Sequence, residues 1–453
     1  MTVLILVLPL LAGAQDEGLR YENYVYKPNI RSVRFHAPEL FLAQPIVELG
    51  RSSQLVLSFD DLDADVKDFT YSIVHCDMNW RPSDLSDMEY LDGYSEDRIN
   101  NYRFSFKTLQ NFTHYELFLP HENMSWTKSG NYLLKVYEDE DEKTLVITRR
   151  FMVVDPKVRI TAQVSRPAMV SKIETHQEID FSADFERFPI KSPQQEIRAV
   201  VLQNGRWDNA VRGIAPLFVR GNVMMFDYQD KVVFPAGKEF RFFDLRSMRY
   251  RNEQIVSIDQ FPDRFEVTLG KDPKLSGKVY LNSRDINGNY VIETLDQNEP
   301  NLASEYGQVL FSLYSPEPYY EEDVYLVGAF NDWQLMPEYK MVYNPAINGY
   351  VQSNGEALRI IGSPLGSIRS CFDLMPRATE SDWETVAARM EKVPAALGGF
   401  HAALDAGREK GPLAARRQAL ECAKQAATWS GDGAEPFFPK LVQEAKPEAV
   451  GDA

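Results

Sequence analysis

His75-Cys76-Asp77 is the first group in this chain that could do covalent chemistry, as a thiol, a base and an orienting carboxylate. The residues around it argue against that use. Phe69, Tyr71, Ile73 and His75 alternate with Thr70, Ser72 and Val74, the period-2 pattern of a strand. Neighbours on a strand point to opposite faces, so His75 and Cys76 cannot meet. A packed thiol and a hydrogen-bonded histidine are the expected roles.

Asp61, Asp63 and Asp65 copy the opening of a calcium loop. The sixth position would need glycine and is Val66; the twelfth would need glutamate and is Ser72. We expect a solvated turn. The six histidines, His36, His75, His114, His121, His176 and His401, contain no pair at i,i+4. There is no G-x-S-x-G elbow, no phosphate-binding P-loop and no C-x-x-C pair. No catalytic residue, metal ligand or cofactor is therefore expected. Gly328-Ala329-Phe330-Asn331-Asp332-Trp333 could place an aromatic ring beside an amide, as a glycan contact would. It is similar to a G-x-F-N-x-W segment of starch-binding-like modules. A single aromatic is a poor platform, so a structural plug at a sandwich edge is the preferred reading, with Asn331 and Trp333 as glycan contacts the alternative.

The elements that must carry these residues are mostly strands. Leu55–Phe59, Phe69–His75, His114–Leu119, Asn131–Tyr137, Thr144–Ile147 and Ile197–Leu202 are short apolar or alternating runs parted by turn residues. Asn287-Gly288, between Lys278–Leu281 and Tyr290–Ile292, is a hairpin signal. The spacing predicts tandem immunoglobulin-like β-sandwich domains. Val3–Leu11 followed by Ala12-Gly13-Ala14 reads as a signal peptide and is too short to span a bilayer. The expected divisions are a signal peptide at 1–14 and sandwiches at 15–156 and 157–262. An incomplete β-domain at 263–351 and a helical segment at 352–453 follow.

Composition changes sharply near the last boundary. No tyrosine of the 22 follows Tyr350, while alanine rises from 15 in residues 1–351 to 19 in residues 352–453. Ser381 with Glu384 has capping-box spacing, and Trp383, Val386, Ala387 and Met390 form a helical stripe. The net charge of −17 argues against a nucleic-acid groove. Three cysteines (Cys76, Cys371, Cys422) cannot build a disulfide framework.

From about Tyr21 to Val351 the chain resembles the plug protein of the type IX secretion translocon. The segments that carry this are Leu57–Asp63, His75-Cys76-Asp77 with Trp80, Glu89-Tyr90-Leu91, Thr113-His114-Tyr115 and Ser129–Leu134. Thr148-Arg149-Arg150-Phe151, Gln203–Ala210, Glu239-Phe240-Arg241, Phe243-Asp244 and Arg246-Ser247 continue it. The resemblance implies a non-enzymatic periplasmic protein of immunoglobulin-like domains. Its partner would be an outer-membrane β-barrel translocon, whose inner mouth it closes. Interfaces use aromatic and arginine anchors, which makes Trp80, Arg206 and Trp207 the partner-binding candidates. The tail resembles part of an uncharacterised, metallopeptidase-like helical family. The matching residues are Ser363–Gly366, Phe372–Pro376, Asp382-Trp383 with Val386-Ala387, Val393-Pro394 and Ala414–Gln418. None of the zinc-ligand histidines of such enzymes is present. The expectation is a fusion of two unrelated reading frames.

Overall fold

The computed structural model describes residues 18–352, apart from 140–143, 238–239, 241–242, 273–285, 308 and 321. The expected signal peptide and helical tail lie outside the described residues. So does the strand expected at 278–281.

The first sandwich is laid down by β1 (Tyr24–Val25), β2 (Ile30–His36), β3 (Ile46–Glu48), β4 (Leu55–Asp61) and β5 (Phe69–Cys76). A one-turn helix α1 (Asp87–Tyr90) leads to β6 (Leu91–Gly93), β7 (Glu96–Arg98), β8 (Asn101–Phe104) and β9 (Thr113–Leu119). Then come β10 (Met124–Trp126), β11 (Gly130–Glu138) and β12 (Leu145–Val154). One sheet has the order β2-β4-β9-β8 and the other β1-β12-β11-β5-β7, with β3 parallel to the end of β12. This crossed order is that of an immunoglobulin-like sandwich, as the strand spacing predicts.

Alternation decides which side chains fill the space between the sheets. Leu55, Leu57 and Phe59 of β4 and Tyr115, Leu117 and Leu119 of β9 meet Phe69, Tyr71 and Ile73 of β5 and Tyr132, Leu134 and Val136 of β11. Phe59 stacks on Tyr115 at 5.2 Å, and Tyr132 stacks on Phe151 at 5.1 Å. The Tyr132 hydroxyl donates to the Lys128 carbonyl at 2.7 Å, a tyrosine corner that ties the entry of β11 to its own loop. Gly130 opens that strand because a Cβ there would lie 2.3 Å from the His75 ring.

The next region contains β13 (Arg159–Ser165), β14 (His176–Asp184), β15 (Ala199–Val201), β16 (Val211–Ile214), β17 (Phe218–Arg220), β18 (Val223–Phe226) and β19 (Val233–Pro235). Its larger sheet has the order β13-β14-β18-β17 with β19 beside β14, and β15 pairs with β16. A smaller core of Phe181, Phe185, Ile214, Met224, Phe226, Val232 and Phe234 lies between them.

Beyond it, β20 (Ile255–Gln260) and β21 (Phe265–Leu269) form a hairpin, and the expected division at 262 falls at its turn. The last sheet orders β22 (Ser312–Tyr314), β25 (Gly349–Gln352), β24 (Lys340–Asn344) and β23 (Val324–Tyr325) as β22-β25-β24-β23. Asn287 and Gly288 both have positive φ, 51° and 78°, as a two-residue hairpin turn requires. The residues after them differ from expectation, because Tyr290–Ile292 form no strand. A short helix α2 (Pro300–Ala303) crosses over the first sandwich instead. Its Leu302 carbonyl accepts from Phe106 N at 2.8 Å.

Candidate functional site

The residues singled out from sequence are drawn together into two linked stacks. Asp77 accepts backbone hydrogen bonds from Asn79 and Arg81 at 2.8 and 2.9 Å, closing a tight loop after β5. That loop holds Trp80 at a φ of 61° and turns its indole inward, where only 2% of it is exposed. Trp207 meets it edge-on at 5.1 Å, and the Arg150 guanidinium of β12 lies 4.5 Å from the Trp80 ring and 5.2 Å from the Trp207 ring. Arg150 also donates to the Tyr21 carbonyl through Nε at 2.7 Å. Burial, with Arg212 nearby, lowers its pKa to about 10, so it stays charged at neutral pH.

Trp207 is positioned by its own turn. Asn204 and Gly205 have φ values of 54° and 72°, and Arg206 N closes onto the Gln203 carbonyl at 3.1 Å. This Asn-Gly turn is readable in the sequence. Arg206, one residue earlier, faces the second stack. Its guanidinium covers the Trp333 ring at 3.9 Å while its Nε donates to Asp208 at 3.0 Å. Phe240 lies 6.0 Å from the same ring. Asn331 is buried, and its side chain knots the loop. Its Oδ1 accepts from Gly328 N at 2.9 Å, and its Nδ2 donates to the Leu326 and Gln334 carbonyls at 3.2 and 3.1 Å. Its amide hydrogen bonds therefore go to the loop itself, and one face of the Trp333 ring carries a guanidinium. Arg150 and Phe240 complete the stacks, and no local sequence pattern marks either as a stacking residue.

His75 and Cys76 part as strand alternation requires. His75 Nδ1 pairs with the Ser83 hydroxyl at 2.8 Å, while Cys76 packs with Trp80 and Leu133. Burial, then the Asp77 charge, pushes the Cys76 thiol up to about 11, far from a reactive thiolate. The aspartate turn is not simply solvated, which corrects the sequence reading. Lys67 Nζ sits among the three carboxylates, 2.8 Å from Asp61, in contact with Asp63 and 3.8 Å from Asp65. A protein ammonium thus occupies the place a calcium ion would take. Glu178, Asp180 and Asp227 bring carboxylate oxygens within 4.8 Å of one another. Two of these acids already accept hydrogen bonds, from Ala168 N at 2.8 Å and from the Ser165 hydroxyl at 2.8 Å.

A polar cluster missed by sequence reading lies on the outer face of the β2-β4-β9-β8 sheet. Asp60, 1% exposed, accepts from His114 Nδ1 at 2.5 Å and from the Tyr306 hydroxyl. The Tyr306 hydroxyl also meets Ser32 Oγ at 2.7 Å. His114 Nε2 faces Glu116 at 3.5 Å. Burial opposes the charge on His114, but Asp60 and Glu116 outweigh it and raise its pKa. Glu116 is lowered in turn, chiefly by His114.

Comparison with known proteins gives separate matches for the front of the chain and for its tail. Residues 30–155, essentially the first sandwich, match the family described as type 9 secretion system plug protein 1st domain. The resemblance to the type IX secretion plug therefore stands. This links the chain to type IX secretion, and to the cell envelope where that machinery works. Residues 333–452 match a family described as bacterial protein of unknown function (DUF885), which covers the tail. A crystal structure of a hypothetical protein from Parabacteroides merdae is 27% identical over 77% of this chain and 92% of that one, with a TM-score of 0.69. An alkylpurine DNA glycosylase from Pseudomonas fluorescens, 9% identical over 27% of this chain and 30% of that one, has a TM-score of 0.14 and carries no argument. Among proteins with curated descriptions, none matches. Among the described residues no helix is long and apolar enough to cross a membrane.

Proposed function

We propose that the protein is a non-enzymatic periplasmic plug, exported by its signal peptide, that closes the inner mouth of the type IX secretion outer-membrane translocon. The match of residues 30–155 to the plug first domain carries this reading. Physical support comes from the way the strand regions are joined. A stopper has to keep its shape under load. Here Trp207, packed on Trp80 and Arg150, and the strap that carries Tyr306 tie distant parts of the chain to the first sandwich. Their aromatic side chains are consumed internally, so Trp80, Arg206 and Trp207 act on a partner mainly by fixing the surface that meets it. The glycan reading for Asn331 and Trp333 has less support, because Arg206 lies on the ring such a sugar would use.

The test is retention of the chain on the purified outer-membrane barrel, paired with a leak assay. Native barrel should carry the protein in stoichiometric amount. Barrel taken from cells lacking it should pass a small polar solute until the purified protein is added back. A barrel that stays sealed without the protein would overturn the proposal.

A further inference from the structure

The outer face of an immunoglobulin-like sheet is normally wet, yet this one hides charge. Asp60 and His114 are 1% and 3% exposed, although both point away from the sandwich core. The cover is the strap 299–306, which includes α2. It is held through four of its residues. At its start Arg103 Nη1 donates to Glu299 at 3.1 Å, and Arg34 Nη2 donates to Asn301 at 3.1 Å. At its end Leu109 N donates to the Glu305 carboxylate at 2.9 Å, and Tyr306 reaches Asp60 and Ser32.

We infer that the strap 299–306 is a proton-controlled clasp, in which the His114–Asp60–Tyr306 cluster holds it down while His114 is protonated and loosens it when the proton leaves. The argument is electrostatic. Under the closed strap, His114 lies between Asp60 on β4 and Glu116 on its own strand. The facing cations are Arg34 on β2 and Arg103, opposite His114 on β8. Both are already hydrogen-bonded to the strap. An imidazolium leaves this covered face with one compensated carboxylate pair. A neutral imidazole leaves two carboxylates short of a counter-charge, a costly state when water is excluded. Lifting the strap rehydrates them.

Other titratable groups face the cluster from the strap and its neighbours. Burial, then Asp60, pushes the Tyr306 phenol up, and burial does the same for Tyr290, so both stay protonated. Burial raises Glu305 against the pull of its hydrogen bonds to the Leu109 and Gln110 backbone. Glu299 is exposed and bridged to Arg103. His114 is the group whose ordinary titration lies nearest neutrality. Its folded-state pKa is raised, so the closed strap is favoured below that value and loses its advantage as pH rises through it.

Hydrogen exchange of amides 301–306 in the full chain, corrected for intrinsic rate, reads the clasp directly. Each unit by which docking raises the histidine's pKa is worth about tenfold in the closing equilibrium. Between pH 6 and pH 8.5 protection in the wild type should therefore fall, by about tenfold for each such unit. In His114→Gln the profile should be flat, and in Tyr306→Phe protection should be low at both ends. An equal fall in His114→Gln, or no fall in the wild type, would overturn the inference. Should His114→Gln fail to fold, the His114 ring can be titrated by NMR in the wild type and in Tyr306→Phe. Linkage demands a lower pKa in the variant, and an unchanged value refutes the clasp.

Discussion

Asp60 and Asp61 are neighbours at the end of β4, both nearly fully buried, and the protein neutralises them by different chemistry. Asp61 takes a hydrogen bond from Asn29 Nδ2 at 2.6 Å and an ammonium from Lys67 at 2.8 Å. Asp60, on the opposite face, takes a histidine and a tyrosine hydroxyl. Burial works against the charge on Lys67, but its bonds to Asp61 and Asp63 outweigh it and raise its pKa. The Lys67 contribution is therefore complete at neutral pH and is lost only far into the alkaline range. The His114 contribution is lost much earlier, as pH rises through its raised value. One carboxylate is locked by a permanent charge and the other is handed to a group that switches. The first closes a turn of the sandwich; the second joins that sandwich to a strap far along the chain.

Removing the permanent partner breaks the comparison most severely. Lys67→Ala leaves a buried carboxylate without its cation, which costs about 3 kcal/mol. Thermal or urea unfolding at pH 7 should show the full loss, and a change under 1 kcal/mol would mean that Asn29 alone suffices.

Asp60→Asn is milder because the amide retains shape and one acceptor. A loss of about 1.5 kcal/mol is expected at pH 6, shrinking at pH 8.5, since a charge-assisted hydrogen bond is exchanged for a neutral one. Stability against pH should flatten in this variant between those values, while Lys67→Ala keeps the wild-type slope.

Glu116→Gln sharpens the contrast with the smallest effect. Its side chain is 18% exposed and 3.5 Å from His114, so about 0.5 kcal/mol is at stake. The His114 transition should move to lower pH by a fraction of a unit. A shift to higher pH would show that Glu116 does not support the imidazolium.

The aromatic seam is a third way to handle charge, and it shows where sequence reading runs out. Residue type makes Trp80, Arg206 and Trp207 candidate interface anchors. Their stacking contacts lie within the chain, where Arg150 packs against both Trp80 and Trp207. Nothing in the local pattern around Trp80 reveals that the loop closes on Asp77 and turns the ring inward.

Strand identity in the first sandwich was written in the chain itself. Period-2 alternation in Phe69–Cys76, Thr113–Leu119 and Gly130–Glu138 reports which side chains face the core, because successive residues on a strand leave by opposite faces. The same alternation separated His75 from Cys76, and the type IX plug resemblance rested on segments of these strands. Alternation says nothing, however, about what lies over the other face. Asp60 and His114 read as solvated outer residues until Tyr306, 246 positions away from Asp60, covers them. Only the tertiary structure decided that, since burial of a polar face depends on a contact between distant parts of the chain and leaves no periodic trace along it.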